Sequence, residues 1–325
     1  MTEPSIHRVI AGFGRSGTTW VQDVLAKANS LRTVFEPLHP QEIAGADVFA
    51  NRCIPETRKE PELYRLLHRY FCENYHSLWV DYRIEKGDLV PRGGDLTSRA
   101  GFKHLFRNYR GFKDNYLRFH KQRRHPQRLI KLIRANLMLP WLRSNFGARI
   151  VFVIRHPAAV VLSRMNAPHI WDPCWYIDRY RQDPELPHVL EHRTRNMLFQ
   201  PVEDVEAHTL CWCIENTIAL QQEQRYGTPI VHYELLLKRG LPEWQRMVSA
   251  LELKHMPDEQ LVSQPSQQTW GPKATNSTLL RNYASWMEDI DKSVSVRIQR
   301  VLDATGMNIY SVDNPLPVSR SNSVS

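Results

Sequence analysis

Apolar residues in this chain come in short runs, most of them followed by a segment with helical spacing. Val9-Ile10-Ala11 precedes Trp20, Val21, Val24, Leu25 and Ala28, which recur as one face of a helix. Thr33-Val34-Phe35 is a second strand, ending at Glu36-Pro37 because proline cannot continue a ladder. A third strand is expected over 128–133, with a helix over 137–145. Residues 148–154 form the strongest strand, apolar and β-branched, as suits a strand buried on both faces. It ends at Arg155-His156-Pro157, with the proline well placed to open a helix. A long helix over 205–226, a strand over 228–233, a helix over 242–252 and a last helix over about 279–305 complete the pattern. Strands alternating with helices predict an α/β chain with a parallel sheet and a ligand crevice beyond the strands' carboxyl ends.

Three stretches interrupt that alternation. Residues 38–127 carry helical segments and turn chemistry (Gly87-Asp88, Pro91–Asp95) but no comparable strand, and read as a long, largely helical insertion. Residues 166–201 are rich in proline, tryptophan and tyrosine, with few helix or strand signals, and suggest an aromatic lid. The serine-rich tail 311–325 is expected to be disordered. The remainder, 1–310, reads as one domain.

Composition narrows the class. No apolar run in the 325 residues approaches the roughly 20 needed to cross a membrane, and no secretory leader is visible. The five cysteines are odd in number and fit no zinc spacing, so a cytoplasmic protein is expected. The net charge of +9 is concentrated: residues 99–134 hold twelve lysines and arginines against one acid, Asp114. Arg99, Lys103, Arg107 and Arg110 recur at helical spacing. Such a segment could meet an anionic acceptor, a membrane surface, nucleic acid or only water.

The decisive chemistry lies at 12–20, Gly12-Phe-Gly-Arg-Ser-Gly-Thr-Thr-Trp20. A strand, a glycine-rich turn and a helix aim backbone N–H groups at one anion. A nucleoside-triphosphate loop would place lysine after its last glycine, but Thr18 stands there, and the cation comes earlier, at Arg15. The strand ending at Ile154 leads to Arg155 and His156, where a nucleotidase would hold a magnesium-binding acid. The anion is therefore expected to be handled by cations and N–H groups, with no metal required.

That combination resembles the sulfotransferases that use 3′-phosphoadenosine-5′-phosphosulfate (PAPS), in particular the carbohydrate-type and broad bacterial branch. Arg15-Ser16-Gly17-Thr18-Thr19-Trp20 resembles the family's 5′-phosphosulfate loop, and Glu36-Pro37-Leu38-His39 its E-P-L element. Arg155-His156-Pro157 and Ser163, followed by Arg164, resemble its 3′-phosphate element; Lys131 and Tyr233-Glu234 fit further family positions. The resemblance implies a P-loop NTPase-like sheet, cofactor contacts by residues 15–20, Arg155 and Ser163, and release of 3′-phosphoadenosine-5′-phosphate (PAP). It also implies Glu36 as the general base, with His39 and His104 as alternatives; Lys103-His104 is similar to the family's K-T-H element. His156 is expected to be structural, and Lys273, Ser277 and Arg281 to close over the cofactor. Chemically, sulfuryl transfer needs positioning and stabilisation of a leaving phosphate, which Arg15 supplies with a charge it cannot lose. The expected acceptor is a small-molecule, glycan or glycolipid hydroxyl, with no nucleic-acid partner. Rival readings are a P-loop kinase or nucleotidase, opposed by the absent lysine and acid, and a nucleic-acid-binding protein built on 99–134.

Overall fold

A computed structural model of the chain describes residues 6–83, 113, 117, 127–167, 171–263 and 283–318. Five strands form one parallel sheet: β1 (Arg8–Gly12), β2 (Arg32–Phe35), β3 (Arg128–Leu132), β4 (Arg149–Ile154) and β5 (Ile230–His232). The spatial order is β2-β3-β1-β4-β5, which puts β1 at the centre. Ile10 stands opposite both Lys131 and Val151, so the strands' carboxyl ends come level.

Alternation along β1 explains the layers, because successive side chains point to opposite faces. Val9 and Ala11 join one hydrophobic cluster, while Ile10 joins the other. The Ile10 face is covered by α1 (Thr18–Ala28), which contributes Trp20, Val21, Val24 and Leu25. The opposite face packs against several helices. These include α2 (Pro61–Phe71), α3 (Leu78–Tyr82), α4 (Leu139–Phe146) and α5 (Pro157–Met165). The helix α9 (Asp204–Tyr226) is buried along most of its length, which accounts for the thiols of Cys211 and Cys213 lying in the core. Beyond β5 come α10 (Tyr233–Arg239) and α11 (Leu241–Ala250), whose Trp244 and Met247 complete the Ile10 face. The α/β fold with a parallel sheet is as expected, and the described part of 38–127 before β3 carries helices and no strand.

Three expectations are corrected. The described residues of 166–201 are largely helical: α6 (Pro173–Gln182), α7 (Leu186–Val189) and α8 (His192–Leu198) follow one another there. Pro173 and Pro187 sit in first turns, where a missing N–H costs nothing, so they open helices and do not break them. Trp171, Tyr176 and Tyr180 are buried in the main core, leaving Trp175 exposed. The last helix, α12 (Lys292–Thr305), begins later than expected, where the Asp291 side chain caps Ser293 N–H. Residues 311–318 are ordered: Ser311 bridges Asn314, Val312 is buried, and Val318 N–H donates to Ile309 O at 2.9 Å. Apolar residues at 309, 310 and 312 anchor what composition alone marks as a polar tail. Most of the basic segment 99–134 lies outside the described residues, as do His104, Lys273, Ser277 and Arg281.

Candidate active site

The loop leaving β1 turns at Phe13–Ser16, closed by Ser16 N–H donating to Phe13 O at 3.0 Å. Gly17 begins α1 with φ 86°, a left-handed conformation at a point where a Cβ would lie 2.5 Å from the Tyr233 ring. Gly14 is required for space: a Cβ there would meet the Trp171 ring at 2.5 Å. The α1 N-terminus has no side-chain cap, which leaves its first N–H groups available to an anion. Thr18 and Thr19 are buried in that first turn, and the buried hydroxyl of Ser16 has no hydrogen-bond partner among the described residues.

Arg15 also takes a left-handed backbone, φ 79°. For a residue with a Cβ this is strain of about 1–2 kcal/mol, and such strain gathers at functional sites. The Arg15 Nε donates to Ser163 Oγ at 2.8 Å, and Arg15 O accepts from Arg155 Nη1 at 3.1 Å. Loop, β4 end and α5 are thereby tied together. Burial, then Arg155 and Arg164, pull the Arg15 pKa below its ordinary value, the mark of several cations gathered at one place. The Arg155 guanidinium lies 4.8 Å from the Tyr233 ring centre. Trp20, expected to touch the cofactor, is almost fully buried behind the loop, edge-on to Tyr233 and Trp244.

At the ends of β2 and β3 the arrangement differs. Glu36 follows β2 with φ 47°, again left-handed, and is 1% exposed. Its Oε1 lies 2.9 Å from Lys131 Nζ, and its Oε2 accepts from Arg134 Nη1 at 3.2 Å and from Ile133 N–H at 3.3 Å. Burial pulls Lys131 down to about 8, against the opposing pull of Glu36. His39, an alternative base, packs its ring 4.5 Å from Trp79; burial, with Arg134 and Lys131 nearby, pulls it down to about 3.

His156 is structural, as expected. Its Nδ1 accepts from Ala158 N–H at 3.1 Å, capping α5, and its ring stacks on Trp286 at 4.1 Å. Glu234 accepts from His156 N–H at 2.8 Å and from the Tyr310 hydroxyl at 2.6 Å. These contacts tie residues 309–312 to the backbone that presents Arg155. Sequence reading missed Arg134, and also Asn136, whose Oδ1 accepts from Gly12 N–H at 3.2 Å. Both lie just past a strand end, the one signal that could have flagged them.

The family model described as the sulfotransferase family matches residues 9–185, more than half of the chain. The chain belongs to that family. The match spans the loop, Glu36, Lys131, Arg155 and Ser163, and it stops before Tyr233, Glu234 and Tyr310. The chain is thus a sulfotransferase, and its family implies a sulfate donor. No curated protein matches the chain. Among solved structures, the sulfotransferase domain from the curacin biosynthetic pathway is similar at 12% identity and TM-score 0.39, over 93% of this chain and 98% of that one. The sulfotransferase domain from the Synechococcus PCC 7002 olefin synthase is similar at 14% identity and TM-score 0.41, over 95% and 98%.

Proposed function

We propose that this sulfotransferase moves a sulfuryl group from PAPS to a hydroxyl of a carbohydrate or glycolipid acceptor. The observation that carries the reading is the triad Arg15–Ser163–Arg155, closed around a glycine loop whose helix end is uncapped. The donor fits this chain on its own terms. Arg15 and Arg155 make no ion pair with a described carboxylate, and the hydroxyl of Ser16 lies orphaned in the loop. Anionic groups at both ends of the donor would meet these cations, Arg155 and Ser163 at the 3′-phosphate and residues 15–19 at the 5′ side.

The donor supplies an activated sulfuryl group, whose S–O bond to the 5′-phosphate breaks as the acceptor oxygen bonds to sulfur. Arg15, held on Ser163, offsets charge growing on the leaving phosphate. Glu36 takes the acceptor proton; Lys131 and Arg134 hold that carboxylate in place, and acceptor binding must displace one of them from an oxygen. The sugar class rests on resemblance to the carbohydrate branch and on Trp175, an exposed aromatic of the 166–201 segment. Five free cysteines suit a reducing compartment such as the cytoplasm, and no described helix is long and apolar enough to cross a membrane.

Calorimetry with PAP tests the reading. Wild type is expected to bind, and Arg15→Ala and Arg155→Ala each to weaken binding about 100-fold, in keeping with the loss of charge-assisted hydrogen bonds. A wild-type protein that does not bind PAP overturns it.

A further inference from the structure

Arg164 is 1% exposed and makes no ion pair with a described carboxylate. Its guanidinium is stacked 3.8 Å from the Phe13 ring centre and 4.3 Å from that of Trp171, with Tyr176 at 5.2 Å. Among the described residues its Nε and Nη1 have no hydrogen-bond partner, and no carboxylate pairs with it. The nearby acids are committed elsewhere. Glu215 is fully buried and accepts from the Tyr180 hydroxyl and from Asn136 Nδ2; burial pushes its pKa up against those hydrogen bonds and the pull of Arg164 and Arg134. Asp172 caps α6, accepting from Cys174 N–H at 2.9 Å. Glu36 closes on Lys131 and Arg134. His208, also buried, is pulled down to about 3 by burial and then by Arg164, so it stays neutral beside that guanidinium.

A buried ion without a counter-charge is costly, and aromatic stacking offsets only part of that cost. The described residues leave the rest of that cost unmet, and the fold indicates where an anion would meet it. Arg164 lies directly beneath the anion loop: a Cβ on Gly14 would stand 3.2 Å from its Nη2. Glycine at 14 therefore lets the guanidinium, with the Trp171 ring, come close to the loop backbone.

We propose that Arg164 is the counter-charge built in beneath the Gly12–Thr19 loop, a positioning residue that raises affinity for ligands carrying a phosphate or phosphosulfate on the 5′ side. The inference rests on the donor assignment above. Arg164 acts through space, so it reads the charge delivered to the loop and not its hydrogen-bond pattern. Its influence is on the loop anion, while Arg155 and Ser163 serve the 3′-phosphate.

The test is calorimetry with PAP and with adenosine 3′-monophosphate, which lacks the 5′ group, on wild type, Arg164→Gln, Arg164→Met and Arg164→Lys. Wild type must bind PAP, or the donor assignment itself has failed. Given that, Gln and Met are expected to weaken PAP binding about tenfold, ~1.4 kcal/mol, and to leave adenosine 3′-monophosphate binding unchanged. Thermal melts should show that Arg164→Met without ligand is at least as stable as wild type, while its stabilisation by PAP shrinks. The inference is overturned if Gln and Met bind PAP as wild type does, or lose both nucleotides equally, as a purely structural residue would. Lys keeps the charge but not the flat stack, and guards against misfolding of the neutral variants. Its PAP affinity is expected within about threefold of wild type, and a tenfold loss there also overturns the inference.

Discussion

At the ends of β1 and β4, Arg15, Arg155 and Arg164 make no ion pair with a described carboxylate; at the ends of β2 and β3, Lys131 and Arg134 both close on Glu36. The two halves of the sheet's carboxyl edge thus hold cations in opposite states. Uncompensated cations beside a helix N-terminus favour the arrival of an anion. Compensated cations around one carboxylate hold a group that can take a proton, in a place where a second anion gains little. Each half presents its central residue on a strained backbone, Arg15 at φ 79° and Glu36 at φ 47°. On the proposed reading, charge pairing, more than residue type, separates donor chemistry from acceptor chemistry.

The largest expected effect tests that separation. Glu36→Gln should lower turnover about 1,000-fold, within the range for loss of a general base, and leave PAP affinity equal or slightly tighter. Removing the carboxylate frees two buried cations, so a lower melting temperature should accompany the change. Steady-state kinetics beside calorimetry check both sides. A loss of PAP affinity as large as that of Arg155→Ala would show that the two halves are not separate.

Much of the anion half is legible in the sequence because its motifs are local. Gly12–Trp20 is contiguous, and Ser163 stands two helical turns after Arg155, so one strand and one helix present both. The other half depends on which strands are neighbours. Glu36 meets Lys131 and Arg134 only because β2 pairs with β3, and the intervening 38–127 hides that pairing from any local pattern. The burial of Arg164 is illegible for a different reason. An arginine on a helix normally reads as solvated, and its burial follows from Phe13 and Trp171 closing on it from two separate segments. The prolines at 173 and 187 misled in a simpler way, since a residue that breaks a helix interior is at home in a first turn.

A smaller effect probes the compensated half by pH. Lys131 is drawn down to about 8 by burial, so it begins to lose its proton just above physiological pH. Turnover should fall above about pH 8, as the cation that orients Glu36 disappears. Lys131→Arg, whose guanidinium stays charged, should extend the plateau by about two pH units. An unchanged descending limb in that variant would assign the limb to another group and remove Lys131 from the proton-handling half.

The smallest effect is on stability, and it measures what the uncompensated cations cost the fold. His208 is pulled to about 3 by burial and Arg164, and His156 to about 4, chiefly by burial. In the unfolded chain both bind a proton below about 6.5, whereas the native protein refuses it until pH 4 or lower. The unfolded state therefore holds more protons across that window, and stability falls as pH drops from 6.5. Each group contributes up to about 1.4 kcal/mol per pH unit once well inside the window. Denaturant melts from pH 7 to 4.5 should show the decline, with a shallower slope in His208→Phe. Arg164→Gln should also flatten the slope, because a neutral neighbour lets His208 accept its proton earlier. A slope unmoved by Arg164→Gln would mean that the charge beneath the loop is screened from its surroundings, and the contrast between the two halves would lose its electrostatic basis.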